Sequence, residues 1–339
     1  MMAEKMTAEV ENSLCSETTI TRWRGCPAEP AQDIVVKEAR VGIWVNGDLV
    51  AHLMCLPEEL DALAVGFLIS EGILAGAQDL ESVEVDVAGG RIDCQARIDE
   101  EALAARRDNW TLGTGCGGGG TGTDPLDPSK CRRIDTTVRF DVRALADAGI
   151  EFNRSSRLYV RTGGVHSAGL YDSGGMSVGR SDDVGRHNAF DKAVGKALLQ
   201  GIEIGDKFLL TTGRVSADIA SKAIRHKIPL VASRSAPTSR ALWLAQRYAI
   251  SIVGFLRGRR MNIYTCPERI TGLDGNQTPA PRSDIPELLD RIRRSLVNGK
   301  LPCEAARLIS RETGVALSEI GAACERAGVK IVQCQLGCF

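Results

Sequence analysis

The stretch that decides the fold is residues 207–258, KFLLTTGRVSADIASKAIRHKIPLVASRSAPTSRALWLAQRYAISIVGFLRG. Short apolar runs alternate in it with segments whose apolar residues recur at helical spacing, and the connections between them are brief. A strand-helix-strand-helix-strand order of this kind predicts parallel strands joined by crossover helices, and therefore an α/β fold with a parallel-sheet core. The predicted strands are 207–214, 228–235 and 250–258, and the predicted helices are 216–227 and 236–249.

The region before this core shows a different pattern. Residues 40–55, RVGIWVNGDLVAHLMC, place Asn46-Gly47 between two apolar runs, which predicts a hairpin because both turn positions favour positive φ. Residues 56–74 have helical spacing with an acidic first turn, and residues 82–99 predict a second hairpin around Gly89-Gly90. This region is therefore predicted to be α+β.

Composition shifts divide the chain into six segments. A linker rich in Pro, Gly and polar residues, TGLDGNQTPAPRSD, precedes a C-terminal stretch that reads helix, glycine turn, helix. The predicted segments are a flexible arm (1–30), the α+β N-terminal part (31–112), a mobile glycine-rich cysteine loop (113–123), the α/β core (124–272), a linker (273–283) and a small helical, helix-turn-helix-like tail (284–339).

The 339-residue chain has a formal net charge of −1. A net charge this close to zero does not attract the protein as a whole to nucleic acid or to a membrane. An anion-binding site must therefore come from local clustering of basic residues. The N-terminus lacks the features of a signal peptide, and no apolar run is long enough to span a bilayer. We therefore expect a cytoplasmic protein whose eleven cysteines are thiols, with no membrane partner.

Arginines follow each predicted parallel strand. Because ligands of open α/β sheets bind at the carboxyl ends of the strands, these side chains are expected to converge at one edge. Arginine forks bind phosphate bidentately, and helix N-termini also favour anions, so the pattern predicts a site for a ligand with several phosphates. The alternative is that surface loops simply carry arginines. The candidate binding residues from these strand ends are Arg214, Ser235, Thr238, Arg257, Arg259 and Arg260.

Two histidines lie upstream of the core strands in polar, glycine-flanked settings. His187 opens a predicted helix, and His166 follows a pair of glycines. An acid/base role, a ligand contact and a structural role are all open for such residues; we include His187 among the candidate cofactor-binding residues. The H-x-E and P-C-x-x-C patterns of a zinc deaminase do not occur, which disfavours a catalytic zinc.

Cys116 lies in TLGTGCGGGGTGT, residues 111–123, among seven glycines. A buried structural cysteine would not stand among residues that cannot pack around it. A phosphate-cradling loop would open directly into a helix, whereas residues 121–128 continue as loop. The pattern therefore predicts an exposed, mobile thiol, whose reactive form is the thiolate.

Five motifs, in order between residues 163 and 265, resemble the formate dehydrogenase accessory sulfurtransferase family (FdhD), and the similarity runs from about residue 30 to 270. They are GGVHSAGLYD, DVGRHNAFDK, TTGRVSADIASKA, PLVASRSAPTSRALWLA and GFLRGRRMNIYT. The resemblance implies a cytidine-deaminase-like α/β fold without zinc and a role as a sulfur carrier. It implies that a cysteine desulfurase passes persulfide sulfur to Cys116, the catalytic residue. The sulfur then goes to the molybdenum, or tungsten, of a bis-guanine-dinucleotide pterin cofactor before that cofactor enters formate dehydrogenase.

The resemblance also implies the binding residues and partners. The family's cofactor-binding segment matches Phe255, Leu256, Arg257, Gly258, Arg259 and Arg260. The Mo-bis(molybdopterin guanine dinucleotide) cofactor is a bound substrate, and no permanently bound metal is expected. The partners are a cysteine desulfurase and formate dehydrogenase, and the family pattern suggests a homodimer.

The sequence departs from the family at two places. The family loop usually carries C-x-x-C, but Gly119 stands at the second position. The tail lies outside the resemblance, and its Cys334 and Cys338 are either a metal or auxiliary thiol pair or idle cysteines. A cofactor-binding chaperone without sulfur chemistry is therefore the alternative function. A nucleic-acid-binding regulator is disfavoured because Glu304, Glu312 and other acidic residues interrupt the basic face of the tail helix.

Overall fold

The computed structural model describes residues 13–25, 27–98, 131–273, 286–297, 299–313, 320–321, 323–324 and 327–332. The chain divides into two compact units, residues 1–273 and 274–339. Within the described part of the chain, every helix is too short or too polar to cross a membrane.

The elements of the first unit are, in chain order, β1 (Cys15–Arg22), β2 (Glu29–Val36), β3 (Ala39–Val45), β4 (Asp48–Cys55), α1 (Leu60–Ser70), β5 (Leu80–Asp86), β6 (Arg91–Ala96), β7 (Phe140–Asp141), α2 (Val142–Ser155), α3 (Arg157–Thr162), β8 (His166–Tyr171), β9 (Ser177–Asp183), α4 (Arg186–Leu199), β10 (Phe208–Thr211), α5 (Ala217–Arg225), β11 (Leu230–Ser233), α6 (Ser239–Tyr248), β12 (Ser251–Arg257), β13 (Arg260–Ile263) and β14 (Ile270–Thr271). Those of the second unit are α7 (Pro286–Arg294), β15 (Lys300–Pro302), α8 (Cys303–Thr313) and β16 (Lys330–Val332).

A six-stranded sheet in the order β13-β12-β11-β10-β8-β9 forms the centre of the first unit. Strands β10, β11 and β12 are parallel and are joined by α5 and α6, which confirms the predicted β-α-β-α-β core. The sheet as a whole is mixed, because the β8–β9 hairpin and β13 are antiparallel to their neighbours. The prediction of a parallel sheet was therefore correct for the three central strands only.

Alternate residues of the central strands are buried in two different layers. Leu209 and Val231 pack in a cluster with side chains of α4, α5 and α6. Phe208 and Leu230 belong to a second cluster that contains Leu145 of α2. Since helices cover both faces, these strands consist of continuous apolar runs instead of alternating polar and apolar residues.

The N-terminal part contains a four-stranded sheet in the order β4-β3-β6-β5, built from the two predicted hairpins. Asn46 and Gly47 form the turn of the first hairpin with φ of 51° and 88°. Helix α1 is buried nearly all round, as its uniformly apolar sequence requires. It crosses α4 at glycines: a Cβ added at Gly66 would lie 1.9 Å from a backbone oxygen of α4, and one at Gly195 would lie 1.9 Å from a backbone oxygen of α1.

Two predictions about the ends of the chain need correction. The predicted flexible arm 1–30 was wrong for residues 15–22, because β1 pairs with β2 in an antiparallel hairpin. The predicted helical, helix-turn-helix-like tail (284–339) did not include β15 and β16, which form a short parallel pair beside α7 and α8. The second unit has its own apolar core, which includes Ile292, Leu301 and Ile309. The linker 273–283 lies almost wholly outside the described residues.

Candidate substrate-binding cleft

A cleft of about 400 Å³ opens at the carboxyl ends of the parallel strands. The first residues of β8 reach the same edge, because β8 runs antiparallel to β10. This is the position at which open α/β sheets bind ligands. The lining residues are Phe152, Asn153, Ser156, Tyr159, Gly163, Gly164, Val165, His166, Ser167, Val184, Thr212, Arg234, Ser235 and Arg257.

Four of these residues form a row across four neighbouring strand ends. His166 begins β8, Thr212 follows β10, Arg234 follows β11 and Arg257 ends β12. His166 Nδ1 lies 3.2 Å from Thr212 Oγ1. Arg234 donates its backbone N–H to Thr211 O (3.2 Å), and Arg257 Nε donates to Arg234 O (3.4 Å). The sheet thus brings two guanidinium groups and an imidazole to one wall of the cleft.

A carboxylate whose charge is compensated lies behind two serines of the cleft. Asp182 accepts hydrogen bonds from the hydroxyls of Ser156 (2.7 Å) and Ser167 (2.6 Å), both of which line the cleft. Arg180 donates to the same carboxylate at 2.9 Å. Because Arg180 neutralises this charge, Asp182 does not oppose the binding of an anion in the cleft.

His166 is uncharged at neutral pH. Burial lowers its pKa, the positive charge of Arg186 lowers it further, and Asp183 raises it in part. An imidazole whose pKa falls below the usual value of about 6.5 is neutral under physiological conditions. The positive charge of the cleft therefore comes from Arg234 and Arg257.

The predicted segment 255–260 surrounds the end of β12. Arg257 lines the cleft, as Ser235 does. Phe255 is 40% exposed with φ of 53°, an outlier for a bulky residue, at an irregularity of the β12–β13 pairing. Leu256 is buried in the core, and Gly258 (φ of 59°) forms the turn into β13.

The structure places the other predicted arginines and Thr238 apart from the cleft wall. Arg214 is exposed before α5, and Arg260 is exposed at the start of β13. Arg259 is exposed and its guanidinium lies 3.7 Å from the Asp147 carboxylate. Thr238 caps α6 by accepting from the Ala241 N–H at 3.4 Å. None of these four residues is among those that line the described cleft.

His187 lies in the first turn of α4, opposite the first turn of α5. Its Nε2 is buried, makes no hydrogen bond within the described part of the chain and stands 3.9 Å from Asp218. Burial and the charges of Lys222 and Arg186 lower the pKa of His187 to about 3. The side chain is therefore neutral, and it is not among the residues that line the cleft.

The polar residues of the DVGRHNAFDK motif join α4 to the N-terminal part. Lys192 and Asp183 form an ion pair at 2.6 Å with both side chains fully buried. Asp183 also accepts from the Leu56 N–H (3.0 Å), and Lys192 donates to Leu56 O (2.9 Å). A second buried pair joins Asp191 to Lys222 at 2.6 Å. These charges have structural roles.

Cys116 and the glycine-rich segment lie outside the described residues, as do Gly119, Cys334 and Cys338. Two buried cysteines of the N-terminal sheet are poor nucleophiles. Burial raises the pKa of Cys55 to about 12 and that of Cys94 to about 12, so both are protonated thiols at neutral pH.

Sequence reasoning did not select several residues of the cleft. Arg234 stands beside Ser235, which was predicted as a binding residue. Its position at the end of a strand could have identified Arg234 in the same way. Asn153 and Tyr159 come from helices α2 and α3, whose arrangement beside the strand ends is a tertiary feature with no local signal. His166 was noted for its glycine-flanked setting but was not selected.

The chain is similar in sequence to known proteins. A model of the FdhD/NarQ family matches residues 36–271. The "Sulfur carrier protein FdhD" of Wolinella succinogenes is 38% identical over 240 residues, covering 70% of this chain and 83% of that protein. The protein of the same name from Shouchella clausii is 35% identical over 262 residues, covering 75% and 97% of the two chains.

A solved structure has a similar fold. It is the crystal structure of a protein from Desulfotalea psychrophila, described as a formate dehydrogenase accessory protein. The TM-score is 0.62 at 26% sequence identity, and the match covers 76% of this chain and 99% of that one. The mixed α/β architecture is thus shared over nearly all of that structure.

Proposed function

The chain belongs to the FdhD/NarQ family, and from this premise we propose that it is a sulfur carrier in the maturation of formate dehydrogenase. In this proposal it accepts persulfide sulfur from a cysteine desulfurase. It delivers the sulfur to the molybdenum, or tungsten, of a bis-guanine-dinucleotide pterin cofactor before insertion of that cofactor. The relatives named as sulfur carriers and the family match over most of the chain support the general role.

Cys116 is the proposed carrier of the sulfur. Its thiolate attacks the terminal sulfur of the desulfurase's cysteine persulfide. An S–S bond then forms at Cys116 while the donor's S–S bond breaks, and the donor cysteine leaves as a thiolate. The step needs a nucleophilic thiolate, which Cys55 and Cys94 do not provide because burial raises their pKa to about 12. Glycines on both sides of Cys116 leave the thiol unhindered.

The observation that carries the proposal is the cleft at the strand ends. Arg234 and Arg257 contribute two positive charges to the cleft, and the nearby Asp182 is neutralised by Arg180. Guanidinium groups bind phosphate oxygens through paired N–H donors. In a guanine dinucleotide, the phosphates lie between two larger groups. A cleft of about 400 Å³ holds only part of such a molecule. The pterin cofactor is thus the substrate of the cleft, and its metal belongs to it rather than to the protein.

Other parts of the prediction concern the surroundings of this reaction. A cytoplasmic location stays a prediction from the sequence, and a homodimer and the cytidine-deaminase-like relationship of the core stay predictions that follow from the family. The topology of the core, a hairpin followed by α4, β10, α5, β11, α6 and β12, is compatible with that relationship.

The test is a Cys116→Ser variant in a strain whose own carrier gene is deleted. Serine removes the nucleophile with little change in volume, so the variant should fold, bind GDP and fail to activate formate dehydrogenase. Full activation by Cys116→Ser would refute the carrier role. It would favour the chaperone alternative, for which Gly119 in place of a second loop cysteine is the supporting observation.

A further inference from the structure

We propose that His166 donates its Nε2–H to the anionic ligand of the cleft and that Thr212 holds the imidazole in this tautomer. The inference rests on the proposed function, because it takes the ligand to be the phosphate part of a guanine nucleotide. It goes beyond that function by assigning a hydrogen-bond donor and the residue that orients it.

The hydrogen bonds around Thr212 determine where its hydroxyl proton goes. The Ser167 backbone N–H, which can only donate, lies 3.1 Å from Thr212 Oγ1, so the hydroxyl oxygen accepts this bond. His166 Nδ1 lies 3.2 Å from the same oxygen. No other partner of Thr212 Oγ1 occurs within the described residues. The hydroxyl also has one hydrogen to donate, and among the described residues Nδ1 is the acceptor within reach of it. The hydroxyl therefore donates to Nδ1, which carries the lone pair.

A neutral imidazole that accepts at Nδ1 carries its one proton on Nε2. Burial lowers the pKa of His166, the charge of Arg186 at the start of α4 lowers it further, and Asp183 at the end of β9 opposes this only in part. The Nε2 atom has no hydrogen-bond partner among the residues that the structure describes. Since His166 lines the cleft, Nε2–H is left for a ligand.

The tautomer decides whether His166 attracts or repels the ligand. With the proton on Nε2, the ring presents a donor to a phosphate oxygen; with the proton on Nδ1, it would present a lone pair. Along the row of strand ends, the end of β10 with Thr212 lies between this donor and Arg234, and Arg257 follows one strand further, with neighbouring strands about 4.8 Å apart. A row of donors of this kind suits an extended anion, and the diphosphate of a nucleotide is such an anion.

The first arm of the test needs no ligand. Nitrogen-15 NMR of the histidine side chains in the full chain, with His166→Gln used for assignment, reads the tautomer directly. The expected result at pH 7 is a neutral ring protonated on Nε2. Thr212→Val removes the hydroxyl at nearly constant volume and should produce a mixture of tautomers, whereas Thr212→Ser should leave the spectrum unchanged. A ring protonated on Nδ1 in the wild-type protein would overturn the inference.

The second arm measures GDP affinity by calorimetry. Loss of a hydrogen bond to a charged group weakens binding by roughly tenfold to 100-fold, so His166→Phe should bind GDP that much more weakly. His166→Gln keeps a side-chain N–H and should recover most of the affinity. Equal GDP binding by wild type and His166→Phe would overturn this inference alone. Absence of GDP binding by the wild-type protein would contradict the proposed nucleotide cleft itself, and the inference with it.

Discussion

Replacing Lys192 by Met removes one charge of a fully buried ion pair. Lys192 Nζ lies 2.6 Å from Asp183 Oδ2, and both side chains have no solvent exposure. The remaining carboxylate keeps N–H donors from Leu56, Gly185 and Asn188 but has no positive charge to balance it. Removing one partner of a buried pair costs about 3–5 kcal/mol in the free energy of unfolding, because the other charge stays buried. We therefore expect a loss of thermal stability on the order of 10 °C.

The matched control lies one turn further along the same helix. Lys196 pairs with Glu59, but these side chains are 37% and 25% exposed. An exposed pair of this kind contributes about 0–1 kcal/mol, so Lys196→Met should lower the melting temperature by a few degrees at most. Differential scanning calorimetry of the two variants compares the same substitution, at the same type of residue, in one helix.

A double-variant cycle separates the charge from the packing. Asp183→Asn removes the carboxylate charge while leaving an amide of similar shape. If the pair interacts as the structure indicates, Lys192→Met combined with Asp183→Asn should be less destabilised than the sum of the single variants. A buried, interacting pair would be ruled out if Lys192→Met lowered the melting temperature no more than Lys196→Met, or if the effects of Lys192→Met and Asp183→Asn were simply additive.

Three further predictions follow from other parts of the structure. Gly66→Ala should destabilise the fold severely, because its Cβ would lie 1.9 Å from a backbone oxygen of α4. The control Gly205→Ala, whose Cβ would have no atom within 4 Å, should leave the stability unchanged, and urea unfolding of the two variants measures the difference. Arg257→Ala should weaken GDP binding roughly tenfold or more, whereas Arg259→Ala should change GDP binding little because Arg259 lies outside the cleft wall. Similar losses of GDP affinity in the two variants would contradict this. Burial lowers the pKa of His226 to about 3, so the native state excludes a proton that the unfolded chain binds below about pH 6.5. The free energy of unfolding should therefore fall as the pH decreases from about 6.5 toward 3, with a contribution from His226 of up to about 1.4 kcal/mol per pH unit. His226→Asn should lose this contribution, and an unchanged dependence of the free energy of unfolding on pH would count against the prediction.

The parts of the fold that local sequence determines were predicted well. Strands β10, β11 and β12 come from continuous apolar runs, which are typical of strands buried on both faces. Asn46-Gly47 favours the tight hairpin turn in which both residues have positive φ. The hairpin of β1 and β2 was not predicted because its strands are mostly polar and exposed, so no apolar alternation marks them.

The site was predictable only where it follows from strand ends. Arg257 and Ser235 reach the cleft because they terminate parallel strands. Leu256 shares the same segment, yet it is buried, since neighbouring residues of a strand point to opposite faces. The contact of Thr212 with His166 joins residues 46 positions apart on antiparallel strands, and only the folded sheet brings them together.

The proposed function depends above all on Cys116 carrying sulfur between a donor and the cofactor. The most direct measurement is mass spectrometry of the full-length protein after incubation with a cysteine desulfurase, its pyridoxal cofactor and cysteine, followed by peptide mapping without reductant. We expect one additional sulfur atom on the peptide that contains Cys116, lost on treatment with a thiol reductant and absent from the Cys116→Ser variant. Sulfur found on another cysteine, or equal sulfur loading of wild type and Cys116→Ser, would contradict it.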